Sequence, residues 1–154
     1  MTHGPRIWRG DASDAALLAR LHAPAFPDAW PEEAFRSVLV REPVLVLLGA
    51  RDGGAAEGFI VIQALAGEAE VLTFCVTAAA RRGGLGRALL RAAFDAAVAR
   101  GAQEMFLEVG EANAAAVALY QGEGFVTVGR RAAYYRHGDQ PVDALVMRKV
   151  LKQR

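Results

Sequence analysis

The chain has 154 residues, 53% of them hydrophobic, with 18 basic and 17 acidic side chains and a net charge of +1. That length fits one domain with a sizeable core, and that apolar content excludes a disordered chain. A charge so near balance excludes the strongly basic surface of a nucleic-acid binder.

Met1 to Pro5 carries no apolar run of the secretion-signal kind, and no stretch reaches membrane-spanning length, so no membrane contact and a cytoplasmic location are expected. Pro5 to Arg9 predicts a short strand. Asp11 to Asp14 predicts a helix start, with an acid at the cap and another in the first turn. Leu17, Leu18 and Leu21 give that helix an apolar face. His22 to Trp30 holds two prolines and reads as a loop. Pro31-Glu32-Glu33 opens a second helix that buries Phe35, Val38 and Leu39. The pattern then turns to β. Val44 to Ala50 and Gly58 to Leu65 are joined by Arg51-Asp52-Gly53-Gly54, a hairpin signal. A turn at Gly67-Glu68 leads into Glu70 to Val76, giving three antiparallel strands in succession. Cys75, the single cysteine, can form no internal disulfide, and no metal cluster is expected.

The segment from Val76 to Arg87 carries the strongest chemical signal. It is a strand end, a loop rich in glycine and arginine, and then a helix N-terminus. Such a start offers unpaired N–H groups and a partial positive charge to an anion. Gly83, Gly84 and Gly86 let a phosphate approach the backbone, while Arg81, Arg82 and Arg87 supply charge and forked donors. A Walker loop is excluded because Gly86 is followed by Arg87-Ala88 and not by Lys-Ser/Thr. A dinucleotide fingerprint is excluded because position 89 is leucine, not the third glycine. The same residues also fit a plain glycine-rich turn with surface arginines.

Leu85 to Arg100 predicts a long amphipathic helix. Leu85, Leu89, Ala93 and Ala97 fall on one line, Leu90, Phe94 and Val98 on the next, and Arg87, Arg91 and Asp95 face outward. Gly101 stops it. Glu104 to Gly110 predicts a strand parallel to the one before the helix. Asn113 caps a short helix from Ala114 to Gln121, ended by Gly122 and Gly124. Phe125 to Arg130 and Asp143 to Val150 close the sheet. No internal repeat, linker or second domain is expected.

The order of these motifs resembles a known family. Arg81-x-x-Gly84-x-Gly86, Leu107-Glu108-Val109, the run Asn113 to Tyr120 and Gly124-Phe125 are similar to the GNAT superfamily, the GCN5-related N-acetyltransferases. With Ala25-Phe26-Pro27, Trp30, Tyr134-Tyr135 and Asp143-Ala144, the pattern resembles the bacterial ribosomal-protein alanine N-acetyltransferases within it. The match runs roughly from Ala25 to Met147. The resemblance implies an α+β fold, a mixed, splayed sheet flanked by helices. It implies acetyl-CoA as cosubstrate, with no metal. It implies that the backbone of Phe74, Cys75 and Val76 pairs with the pantetheine arm, and that Arg82, Gly83, Gly84, Leu85, Gly86 and Arg87 hold the pyrophosphate. Asn113 is implied to touch the cofactor, Glu108 to be the general base and Tyr120 the general acid. Arg81 stands where this branch often has glutamine, a change that preserves anion binding.

The chemistry is consistent with those residue types. Acetyl transfer to an amine needs a neutral nucleophile, a stabilised carbonyl oxygen and a proton for the departing thiolate. Glu108 shares a strand face with Phe106 and Gly110, opposite Met105, Leu107 and Val109. A carboxylate there must be solvated or paired, and a water-facing edge position is the alternative to a catalytic one. An α-amine, with pKa about 7.7–8.0, is partly neutral near pH 7, whereas a lysine at about 10.4 is almost wholly charged. A base acting through water therefore suffices for a protein N-terminus. Tyr120 can protonate a thiolate, or simply cover the sheet as a core tyrosine. Asn113 equally fits a plain N-cap. Cys75 reads as a buried apolar residue and not as a nucleophile: neither sequence neighbour is a base, and His3, His22 and His137 are placed in loops or near termini. Arg130-Arg131 and the basic tail from Arg148 read as solvated charge. The resemblance implies that the acceptor enters opposite the cofactor, with Phe26–Phe35 and Tyr134–Asp139 the segments expected to line it; Asp28, Glu32 and Glu111 could attract a positive amine, and ordinary loop packing is the alternative for each of these residues. The expected acceptor is a protein N-terminus such as that of a small-subunit ribosomal protein; a polyamine- or aminoglycoside-type small amine and a non-catalytic acyl-CoA-binding module are the alternatives.

Overall fold

The computed structural model describes residues 4–137 and 140–151. Strand β1 (Arg6–Arg9) leads into helix α1 (Ala15–His22) through a short 3-10 turn. A reciprocal capping box starts that turn: Ser13 N–H donates to Asp11 at 2.8 Å, and Asp11 N–H donates to Asp14 at 3.0 Å. Helix α2 (Glu32–Leu39) follows, then strands β2 (Val44–Ala50), β3 (Gly58–Leu65) and β4 (Glu68–Val76). Helix α3 (Leu85–Ala99), strand β5 (Glu104–Gly110), helix α4 (Ala114–Gly122) and strands β6 (Val126–His137) and β7 (Gln140–Val150) complete the described residues. The strands form one sheet in the order β1-β2-β3-β4-β5-β7-β6.

Strand periodicity explains the two layers. Val44, Val46 and Leu48 point with Phe59, Val61 and Cys75 to one face, where Ala15, Leu18 and Phe35 of α1 and α2 cover them. Leu45, Leu47, Ile60 and Ile62 point to the other, joined by Met105, Leu107 and Val109 under Leu85, Leu89, Leu90, Ala93 and Ala97 of α3. Every residue of β2 is thus buried, as expected for a strand covered on both sides. Each buried leucine of α3 contributes about 1.5–3 kcal/mol, which fixes the helix on the sheet.

Among the described residues only β4 and β5 run parallel, linked by α3 as the sequence predicts. Their pairing is short: Glu68 with Glu104, Ala69 with Met105, Glu70 with Phe106. Beyond these the strands part. A bulge in β4 accompanies the separation, since Val61 faces Thr73 but Ile62 faces Val71, leaving Leu72 as the extra residue.

Four details differ from the expectation. Strand β4 begins at Glu68 because Ala66 and Gly67, at φ 55° and 84°, make the turn. His22 belongs to α1, and part of the expected loop is a 3-10 turn, Ala23–Ala25. Strand β6 runs past Arg130 to His137 and pairs with β7 down to His137 opposite Gln140, so a long hairpin replaces most of the loop expected from Tyr134. Register breaks near Gly129 and between Arg131 and Tyr135, with Ala133 at φ 53°, absorb the mismatch. Gly138 and Asp139 lie outside the described residues. Arg148, read as solvated, pairs with Glu104, and Lys149 sits 4.9 Å over the Phe94 ring.

Candidate active site

The gap between β4 and β5 brings most of the predicted residues together. Two residues beyond the last pair on each strand stand Leu72 and Glu108. Met105, Leu107 and Val109 are buried on the α3 face, so Phe106, Glu108 and Gly110 look to the face of α1 and α2. The Glu108 side chain is a quarter exposed and accepts an ion pair from Arg131 Nη2 at 3.1 Å. It is thus both solvated and paired. Arg131 was expected to be free surface charge; the register of β6 on β7 brings it to Glu108 instead. Its neighbour Arg130 is likewise paired, with Glu111 and with Asp143 at 3.0 Å. Asp143 also accepts the Ala133 N–H at 2.9 Å, and these bonds hold its carboxyl below the usual range.

Tyr120 lies on the opposite face. It is buried against Phe125 at 5.7 Å and Phe74 at 6.2 Å between ring centres. Phe74 comes from β4 and Tyr120 from α4, so their contact bridges the two sides of the gap. The core reading of Tyr120 and its place beside the gap hold together.

The glycine loop adjoins the end of β4. Arg81 Nε donates to the Val76 carbonyl at 3.2 Å, so part of its guanidinium anchors the loop. Arg82 takes φ 69°, a costly value for a residue with a side chain. Gly84 takes φ 82° at the start of α3, where no side chain caps the helix. The first helical bond runs from Ala88 N–H to the Gly84 carbonyl at 3.0 Å. The N–H groups of Leu85, Gly86 and Arg87 precede that ladder, and donors so placed suit a phosphate. A Cβ on Gly86 would sit 3.7 Å from both Phe74 and Val76, which shows how closely the helix start meets the strand. Arg87 lies 3.5 Å from Glu123, whose carboxyl Arg91 holds at 2.7 Å and keeps below its usual range.

Asn113 accepts the Ala116 N–H at 3.2 Å and so caps α4 at the far side of the gap. The Cys75 thiol faces α1 and donates to the Leu21 carbonyl at 3.2 Å; burial pushes its pKa up to about 11. A thiol in that state is a poor nucleophile. His22 is not a loop residue: it is buried, and its Nε2 lies 2.8 Å from Thr73 Oγ1. Neither the Arg131–Glu108 pair nor the His22–Thr73 pair has a local sequence signal, because both join elements far apart in the chain.

The chain matches the Acetyltransferase (GNAT) family over residues 15–125. It is 41% identical to N-alpha-acetyltransferase RimI of Mycobacterium tuberculosis, over 89% of this chain and 87% of that protein. It is 35% identical to the ribosomal protein bS18-alanine N-acetyltransferase of Escherichia coli K12, over 86% and 87%. The crystal structure of the Escherichia coli ribosomal-protein-S18-alanine N-acetyltransferase shares its fold with a TM-score of 0.89 at 30% identity, covering 97% of this chain and 96% of that one. A splayed mixed sheet, a glycine-arginine loop at a helix start and this kinship lead to one conclusion: the chain belongs to the GNAT family and is an N-acetyltransferase.

Proposed function

We propose that the protein, acting as one domain in the cytoplasm, transfers the acetyl group of acetyl-CoA to the N-terminal α-amine of a protein, an alanine on a small-subunit ribosomal protein. The observation that carries this reading is the gap in the sheet, with Glu108 on one face and Tyr120 beside the other. Donor and acceptor would then meet from opposite faces. Acetyl-CoA, when bound, supplies an acetyl group activated as a thioester. The N–H groups of Leu85, Gly86 and Arg87, with Arg81, Arg82, Gly83 and Gly84, would hold its pyrophosphate, and the backbone of Phe74, Cys75 and Val76 its pantetheine arm, with Asn113 nearby.

In the transfer the amine nitrogen bonds to the acetyl carbon, and the carbon–sulfur bond breaks. Glu108 takes the proton that the amine sheds, directly or through water, which its partial exposure admits. Tyr120 gives its phenolic proton to the departing sulfur. The high Cys75 pKa supports direct attack in a ternary complex over an acyl-enzyme.

The acidic groups near Glu108 support a monoamine acceptor. Among the described residues, Glu111 and Asp143 share Arg130, and Glu108 has Arg131. Three carboxylates against two guanidiniums leave one surplus negative charge, which suits one positive amine; a polyamine would need more. The test is thiol release from acetyl-CoA with a peptide bearing a free alanine N-terminus, the same peptide N-blocked with an internal lysine, and a panel of small amines. Turnover with the free N-terminus alone is expected. Glu108→Gln should lower kcat/KM about a hundredfold or more, and Tyr120→Phe should lower kcat by a similar order. Turnover with small amines alone would overturn the substrate. Tight acetyl-CoA binding with no turnover would point to a binding module.

A further inference from the structure

The ring of His22 ties the α1–α2 connection to the strand that borders the gap. The Trp30 backbone N–H donates to His22 Nδ1 at 3.0 Å. A backbone N–H can only donate, so Nδ1 holds a lone pair and the ring proton sits on Nε2. That proton is donated to Thr73 Oγ1 at 2.8 Å. Both nitrogens are therefore committed and the tautomer is fixed. Around the ring stand Phe26, stacked at 4.2 Å, Phe35 edge-on at 5.3 Å, Trp30 at 5.9 Å and Phe59 at 6.1 Å. The connection between α1 and α2 is thus gripped at Phe26 by its ring and at Trp30 by its backbone.

The position of this grip matters. Thr73 follows the bulged Leu72, and Leu72 and Glu108 stand at the same depth beyond the last β4–β5 pair. Thr73 and Glu108 both look to the α1–α2 face, the face away from α3. The α1–α2 connection packs on that side through His22, with Phe26 a third exposed, so an amine approaching Glu108 from there would meet it.

We propose that His22 is a positioning residue for the acceptor: its fixed Nε2–H tautomer locks the 23–31 connection onto Thr73 as the wall along which the amine reaches Glu108. The inference rests on the assignment of Glu108 as the base. His22 touches no reacting atom; it acts through Phe26 and Trp30. Thr73 is its anchor, and the hydroxyl is the part that counts.

The test is steady-state kinetics with the free-alanine peptide and acetyl-CoA, for Thr73→Val, Thr73→Ser, His22→Phe and His22→Asn. Thr73→Val keeps the side-chain volume and removes the acceptor oxygen. It should raise the peptide KM about tenfold, the order expected for an orphaned buried donor, with the acetyl-CoA KM within about twofold. Thr73→Ser should restore the wild-type peptide KM. His22→Phe removes the bond to Thr73 and also the acceptor of the Trp30 N–H, so it should raise the peptide KM at least as much as Thr73→Val, and adding Thr73→Val to it should cost nothing further, because the shared bond is already broken. If His22→Phe fails to fold, His22→Asn, which keeps an acceptor for Trp30, takes its place in the cycle. Equal rises in both KM values, a fall in kcat alone, or a Thr73→Ser variant as impaired as Thr73→Val would overturn the proposal. Glu108→Gln run alongside separates the two failures. If it retains full turnover, the assignment of the base fails. If it is inactive while Thr73→Val keeps the wild-type peptide KM, the positioning role alone fails.

Discussion

His22 shows how one side chain can be set by surroundings that its sequence neighbours do not reveal. Burial favours the neutral imidazole, so its pKa in the folded protein lies below the ordinary 6.5. The sign of the effect on stability follows. Between 6.5 and the lowered value the unfolded chain binds a proton that the folded chain does not. Stability from this residue is therefore complete above about pH 6.5 and declines as pH falls toward the folded-state value, with a limiting slope of about 1.4 kcal/mol per pH unit. Urea unfolding between about pH 7.5 and 5 should show a steeper loss for the wild type than for His22→Asn. Equal slopes would mean that the ring is not held neutral. The lowered carboxyls of Glu57, Glu123 and Asp143 start from ordinary values of 4.5, 4.5 and 3.8 and lose their contribution below this window.

Elements are where the sequence spoke most clearly and where it also fell silent. Helix α3 was legible because leucine and alanine recur at helical spacing for four turns, and the observed buried set is that line with Leu90 of the neighbouring one added. The positions of Glu108 and Tyr120 were legible as motif and alternation. The length of β6 was not, since its bulges reset the register against β7 and no residue in Arg131–Tyr135 announces a break. The Arg131–Glu108 pair depends on that register and was missed with it. The pairing of β3 with β4 gives a test at this scale. A Cβ on Gly58 would lie 2.8 Å from the Cys75 carbonyl oxygen, a backbone atom that cannot swing aside. Gly58→Ala should force the two strands apart beside the segment Phe74–Val76, costing about 1–3 kcal/mol of stability. It should also weaken acetyl-CoA binding, read by calorimetry. An unchanged dissociation constant together with an unchanged urea midpoint would show that the strand tolerates the shift.

At the scale of the whole molecule, three residue pairs are, among the described residues, the only β-ladder joining β1–β4 to β5–β7. The sheet is in effect two leaves hinged at Glu68–Glu70 and Glu104–Phe106, with the rings of Phe74 and Tyr120 meeting across the opening. Amides of Val71 to Val76 that do not serve β3 should exchange with deuterium faster than those of β2, and should slow when acetyl-CoA is added. Exchange that is uniform across β2 and β4, or indifferent to acetyl-CoA, would count against the hinge. If acetyl-CoA lies in the opening as proposed, the donor would also act as a staple between the leaves. At a hundred times its dissociation constant it would add about 2.7 kcal/mol to the folded state. A protease reads the fraction of molecules with the seam undone. The survival of the enzyme in the cell would then follow the supply of its own acetyl donor, so that a fall in that metabolite thins the catalyst as well as starving it.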